Sequence, residues 1–246
     1  MLFKNYLKDA IKNSCCYSSY QTGNYKLMRS LYKKKDWKEV KMSEIRSRPD
    51  PVIMKLDTPE FRSIFTPELQ VIIDLFKKYS YELRIAGGAV RDLLIGKQPT
   101  DLDFATDATP QQMKKMFNTE EIRMINDNGE NHGTITARIN NKENFEITTL
   151  RIDVLTNGRH AEIQFTKDWQ LDANRRDLTI NSMYLDLNGK VYDYFYGYDD
   201  LQNRKVIFVG DPNCRIQEDY LRILRYIIYR IIILDEHCDD ECIINY

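Results

Sequence analysis

Leu83–Phe104 reads LRIAGGAVRDLLIGKQPTDLDF. A short apolar run, Glu82–Ala86, has the composition of a strand and stops at Gly87-Gly88. Ala89–Leu94 then has the composition of a helix. Glycines between a strand and a helix let the backbone approach a phosphate, and the helix start offers its N–H groups to it. Arg91, in the first helical turn, adds a guanidinium that can fork onto phosphate oxygens. The spacing is neither G-x-G-x-x-G nor a Walker A loop, so neither a dinucleotide fold nor a P-loop is favoured. Asp101–Ala105 reads as a second strand, with Leu102 and Phe104 turned to the core. Side chains alternate along a strand, so Asp101 and Asp103 would point the other way together. Two such carboxylates repel unless divalent cations sit between them, and that pairing serves phosphoryl or nucleotidyl transfer. Taken singly, an exposed strand edge and a tight turn with a surface arginine describe the same residues.

Working outward, Thr58-Pro59-Glu60 and Thr66-Pro67-Glu68 are helix starts, with Thr at the cap and Pro in the first turn. The second opens an amphipathic pattern that runs to about Lys78. Thr109-Pro110 starts another helix, Gln111–Phe117. Strands are expected at Thr134–Ile139, Asn144–Arg151 and Glu162–Phe165, with Asn140–Glu143 as a hairpin turn between the first two. Asp172–Leu185 is expected as a helix or turn leading into a strand. Lys190–Tyr194 and Val206–Val209 are two further short strands, and Ile216–Ile233 is one long helix. The order is that of a mixed α+β domain.

Three more stretches carry chemistry. Glu146, flanked by apolar residues in a strand, could be a third carboxylate beside the D-x-D pair, as base or metal ligand, or a solvent-facing residue. Arg175-Arg176-Asp177 could be a helix cap with a salt bridge, or could place a guanidinium on a triphosphate. Asp219, Arg222 and Arg225 would share one face of the long helix, an ordinary ion pair by spacing. The same carboxylate beside a guanidinium would also present a hydrogen-bonding edge able to select a nucleobase.

The formal net charge is −1, but residues 1–50 carry 12 Lys/Arg against 5 Asp/Glu. A basic face, not a basic average, is what nucleic acid needs, so the total excludes no such partner. The first 35 residues hold one acid, Asp9. That suits a mitochondrial transit peptide as well as a disordered basic tail, and Met42 and Met54 are candidate internal starts. Cys15, Cys16, Cys214, Cys238 and Cys242 lack paired zinc-ligand spacing and read as reduced thiols. His237-Cys238 with Cys242 reads as a polar tail more readily than as a metal cluster. No apolar run is long enough to span a membrane.

The segments RIAGGAVRD, DLDFAT, GENHGTITARI, FEITTLRID, GRHAEI, RRDLTINSM, DYFYGYDDL and RIQEDYLRILRY together resemble the class II CCA-adding tRNA nucleotidyltransferases, of the eukaryotic mitochondrial and nuclear form. The likeness covers about Met54 to Tyr226. It implies a polymerase-β-like nucleotidyltransferase head, a mixed sheet flanked by helices at 51–200, and the start of a helical neck at 201–246. It implies that Asp101 and Asp103 bind two Mg²⁺ ions, beside which Glu146 is the candidate third carboxylate read above. Gly87, Gly88 and Arg91 would contact the nucleotide, and Arg176 the triphosphate. Asp219 and Arg222 would read the base of CTP or ATP with Arg225 in support, while Asp177 and a flexible stretch Asp153–Arg159 would help the switch between the two. The implied reaction adds C, C and A to the tRNA 3′ end and releases pyrophosphate. Two departures are visible. Ile228 stands where the family has a further arginine. The family also has roughly as much chain again after the point where this one stops, at Tyr246. A truncated isoform that binds nucleotide but uses tRNA poorly, and a related poly(A) polymerase, are the alternative expectations.

Overall fold

The computed structural model describes residues 45–125, 132–157 and 160–234. The basic leader as far as residue 44, the internal start Met42 and the His237-Cys238-Cys242 group lie outside them.

Three helices begin as their sequences dictate. Thr58 caps α1 (Pro59–Ser63) by accepting from the Phe61 N–H. Thr66 caps α2 (Pro67–Lys78) in the same way through Leu69. Thr109 and Gln112 form a reciprocal capping box on α4 (Pro110–Thr119). In each case Pro supplies a helical φ where no N–H partner is needed. α3 (Gly88–Leu94) starts differently, with no side-chain cap and with Gly87 at φ 70° and ψ −129°. Only glycine reaches that region without strain.

The helices cover one face of an eight-stranded sheet. Its strands are β1 (Val52–Lys55), β2 (Leu83–Ala86), β3 (Asp103–Thr106), β4 (Arg123–Ile125), β5 (Thr134–Ile139), β6 (Glu143–Thr149), β9 (Tyr184–Asp186) and β10 (Lys190–Tyr192). Their spatial order is β1-β10-β9-β2-β3-β6-β5-β4. The one parallel pair is β3 with β6, as the intervening α4 crossover requires. The period-2 burial of β5, with Ile135, Ala137 and Ile139 inward, is the pattern its sequence announces. Asn140 and Asn141, both at φ 53°, close the β5–β6 hairpin in a primed turn, the type that matches strand twist.

The two faces of the sheet differ. Ile85, Phe104, Ile147 and Leu185 join Leu69, Ile72, Phe76, Met113 and Phe117 in the main apolar core. The opposite face carries Ala86, Ala105 and Tyr184 against Trp169 and Ala173 of α5 (Trp169–Arg175). The small alanines leave room there for charged side chains. β7 (Arg151–Asn157) and β8 (His160–Phe165) form a separate two-stranded ribbon. A 3₁₀ turn (Thr179–Asn181), α6 (Gly197–Gln202), α7 (Pro212–Glu218) and α8 (Leu221–Leu234) complete the chain as described.

Several expectations are corrected. Asp101 does not belong to β3, which begins at Asp103, because the chain before Asp103 has run past the end of β2, where the glycine turn departs. Asn144–Arg151 is not one strand. It breaks at Leu150, whose N–H bonds Thr106 and whose carbonyl accepts from Thr166, and the chain then leaves the main sheet. Val206–Val209 makes one isolated bridge, Leu178 with Phe208, rather than a strand. The long helix Ile216–Ile233 is two helices, because Asp219 is extended at φ −155° and ψ 111° and its carboxylate accepts from the Leu221 N–H. Aspartate competes with the helix in this way wherever it can cap the next one.

Gly197 opens α6 where a Cβ would lie 2.1 Å from the Thr179 carbonyl oxygen, so α6 braces the 3₁₀ turn by direct backbone approach. Gly197→Ala is expected to cost about 1–3 kcal/mol of stability through overpacking, measured as a lower urea midpoint with unchanged m-value.

Candidate active site

Strand register assembles the site. Ile85 of β2 faces Phe104 of β3, so the glycine turn that follows Ala86 departs beside Asp103. On the other side, Asp103 pairs with Glu146 of β6. Laterally paired residues point to one face of a sheet, so Asp103 and Glu146 share the face that the small alanines leave open. Glu146 is exposed there. Asp101 reaches the same neighbourhood from the bend before β3, its carboxylate 3.3 Å from the Thr100 hydroxyl. Asp103 is reachable by solvent but recessed. Burial pushes its carboxyl above the usual range, Arg176 opposes this, and the neighbouring Asp101 charge adds to it. Among the described residues, no three His, Cys, Asp or Glu side chains are gathered to hold an ion alone.

Arg176 is the C-cap of α5 and lies across the glycine turn. A Cβ on Gly87 would sit 3.2 Å from its Nη1, so the bare glycine permits the approach. Beyond it, Asp172 is buried and collects four donors. These are the Arg151 N–H at 3.0 Å, Arg175 Nε at 2.8 Å, Arg176 Nη2 at 3.4 Å and the Tyr184 hydroxyl. Burial alone would raise the Asp172 carboxyl. Arg175 first, then Arg176 and the two hydrogen-bond donors outweigh burial and hold it at about 2. Arg151 is pushed down to about 10 by burial and, after it, by Arg175.

Arg91 is more committed than its sequence suggests. Its Nε and Nη2 donate to Asp92, its Nη1 donates to Asn181 Oδ1 at 2.6 Å, and its guanidinium lies 4.6 Å from the Tyr229 ring of α8. The expected pairing of Asp219 with Arg222 is also rewired. With the helix broken at Asp219, the Asp219 carboxylate accepts from Arg225 Nη2 at 3.1 Å, and Arg225 Nε reaches Asp177. Arg222, 7% exposed, donates to Glu218 at 2.6 Å and to the Arg175 carbonyl at 3.3 Å. Gly87, Gly88, Asp103, Glu146 and Arg176 are thus brought together. Arg222 joins them through Arg175, and Asp177, Asp219 and Arg225 form a neighbouring ionic chain. Asp153 lies in β7, and residues 158–159 of the expected flexible stretch are outside the described residues. Reading the sequence missed Asp172, Tyr184 and Glu218. The i+3 and i+4 spacing of Asp172 to Arg175 and Arg176 was a usable signal, whereas nothing local joins Asp172 to Tyr184.

Residues 83–207 match the model of the poly A polymerase head domain. The chain belongs to that family. This head-domain chain is 66% identical over 173 residues to CCA tRNA nucleotidyltransferase 1, mitochondrial, of Danio rerio, covering 70% of this chain and 40% of that protein. It is 63% identical over 188 residues to the Homo sapiens protein of the same name, covering 76% and 43%. The chain therefore spans about two fifths of these relatives. Among solved structures, the Bacillus stearothermophilus CCA-adding enzyme in complex with CTP superposes with TM-score 0.59 at 32% identity, over 70% of this chain and 39% of that one. The fold is accordingly the polymerase-β-like head expected from the sequence.

The folded pKa of Asp172 lies below the ordinary value of 3.8. Its contribution is therefore present above about pH 4 and is lost as pH falls towards about 2, a change of about 2 kcal/mol. Asp172→Asn should flatten the stability–pH curve in that window, read by denaturant titration at successive pH values.

Proposed function

We propose that this chain is the catalytic head of a nucleotidyltransferase that adds C, C and A to the 3′ end of tRNA from CTP and ATP, releasing pyrophosphate. The observation that carries the reading is Asp103, set by strand register between a glycine turn and Glu146, with Arg176 across the turn. The relatives named for this activity support it, as does the CTP held by the Bacillus stearothermophilus neighbour.

Asp101 and Asp103 are the residues that would hold Mg²⁺, two ions on this reading. Their fit is electrostatic, since Asp103 is raised by burial and by Asp101. With Asp101 and Asp103 as the two carboxylates that would hold the ions, oxygen ligands from substrate, water or Glu146 are left to complete the shell, as magnesium prefers. When bound, the ions supply charge neutralisation and a lowered pKa for the attacking hydroxyl. Gly87 and Gly88 admit the triphosphate to the N-terminus of α3, and Arg176 neutralises it. Glu146 accepts the proton of the tRNA 3′ hydroxyl or completes the metal shell. Asp219 and Arg222 offer an acceptor and a donor to the base. Arg225 ties Asp219 to Asp177, so Asp177 bears on the CTP-to-ATP switch through that bridge. Arg91 acts from behind, fixing Asn181 and the turn.

Residues 51–200 form the head on this reading, and 201–246 begin a neck. The relatives carry "mitochondrial" in their names, which supports residues 1–50 as an import leader. A start at Met42 would retain β1, whereas a start at Met54 would fall inside it and cut the edge strand. No helix among the described residues is long and apolar enough to cross a membrane.

The test is incubation of the purified chain with tRNA ending at the discriminator base, Mg²⁺ and each labelled nucleoside triphosphate. Incorporation of C, C and A in order is expected. ATP-only tailing would favour a poly(A) polymerase instead, and no incorporation with intact CTP binding would mean that this chain holds nucleotide without using tRNA. Asp103→Ala should abolish incorporation, and Arg222→Ala should blur CTP/ATP choice while leaving metal binding intact.

A further inference from the structure

Arg176 stands where the proposed function needs a phosphate ligand, yet its own helix does not hold it there. It is the C-cap of α5, with φ −69° and ψ 160°, already out of the helix. What fixes its guanidinium is tertiary. Nη2 lies 3.4 Å from Asp172 Oδ2, Nη1 lies 3.4 Å from the Asn181 carbonyl, and Cζ lies 5.0 Å from the centre of the Tyr184 ring. The third nitrogen, Nε, is buried and has no hydrogen-bond partner among the described residues. A buried donor left unpaired is costly, and native proteins keep few of them.

Asp172 does more than neutralise one arginine. Two guanidiniums, Arg175 and Arg176, pair with it, and Arg151, whose backbone N–H also reaches it, has its own guanidinium 4.0 Å from Asp153. Two arginines thus share the one Asp172 carboxylate, and of the two Arg176 is the one that lies beside the glycine turn. The Asp172 carboxylate is itself locked from two distant parts of the chain, by the Tyr184 hydroxyl of β9 and the Arg151 amide of β7.

We propose that Asp172 is a positioning residue for nucleotide binding. Locked by Tyr184 and the Arg151 amide, it sets the Arg176 guanidinium beside Gly87, where it meets a phosphate oxygen of the incoming nucleoside triphosphate. The inference rests on the function proposed above and adds a residue to it that never touches substrate. A positioning role predicts that the loss scales with the phosphates of the ligand, whereas a merely structural role weakens every ligand alike.

The experiment is equilibrium binding of CTP and of cytidine to the full chain with Mg²⁺. The proteins compared are wild type, Asp172→Asn, Arg176→Ala, their double variant and Tyr184→Phe. Asp172→Asn should raise the Kd for CTP about tenfold or more, the scale of one hydrogen bond to a charged group, and leave that for cytidine unchanged. The double variant should bind CTP no more weakly than Arg176→Ala alone, because both remove one interaction. Tyr184→Phe keeps the ring and the volume, so it carries the test if Asp172→Asn fails to fold, and it should weaken CTP severalfold. Wild-type CTP affinity in folded Tyr184→Phe or Asp172→Asn, while Arg176→Ala is weakened, overturns the inference alone. Equal weakening of CTP and cytidine also overturns it. A wild-type chain that binds no CTP overturns the proposed function and this inference with it.

Discussion

The register of three strands is the constraint on which the site depends. β2 runs antiparallel to β3, and β3 runs parallel to β6, so the start of β3 lies beside the end of β2 and beside the middle of β6. A slip of one residue in either pairing would turn Asp103 or Glu146 to the opposite face, into the apolar core that holds Phe104 and Ile147. The core therefore fixes indirectly the face that carries Asp103 and Glu146. Burying the large side chains on one side leaves the carboxylates only the other.

That second face is costly to build. It carries Asp172 at 1% exposure, Arg84 at 6% and several guanidiniums around them. A buried charge is tolerated when it is paired and hydrogen-bonded, and most of these are. Arg84 is clamped by Glu82 and stacked 4.0 Å from Trp169 and 3.6 Å from Tyr192. Arg176 lies beside the glycine turn, and Asp101 and Asp103 lie close enough for their charges to oppose one another.

The break between α7 and α8 decides which acid meets which base. An unbroken helix would put Asp219 and Arg222 on one face three residues apart. Because Asp219 is the extended residue at the break, Arg225 reaches back to both Asp219 and Asp177, and Arg222 turns to Glu218 and the Arg175 carbonyl. The ionic chain thereby links α8 to the segment that carries Arg176. Phe208 stacked on Tyr226 at 5.3 Å, and Arg91 over Tyr229, hold the same helix against the head.

The sequence by itself determined the helix starts, since Thr-Pro-Glu caps act within one turn. It also determined the β5–β6 hairpin, since alternation and an Asn-Asn turn are local, and the strand–glycine–helix turn at Gly87-Gly88. Family resemblance made the polymerase-β-like head legible as well. Short edge strands such as β1 and β4 were not legible, because their few residues gain their pairing only from neighbours far along the chain. Neither was the departure of β7 from the main sheet, which Leu150 decides by bonding Thr106 and Thr166. Only tertiary structure set Glu146 beside Asp103, joined Asp172 to Tyr184 and exchanged the partners of Asp219 and Arg222. Each of these is a contact between segments that are remote in sequence or separated by a helix break, and no periodicity can encode a distance that exists only once the sheet has formed.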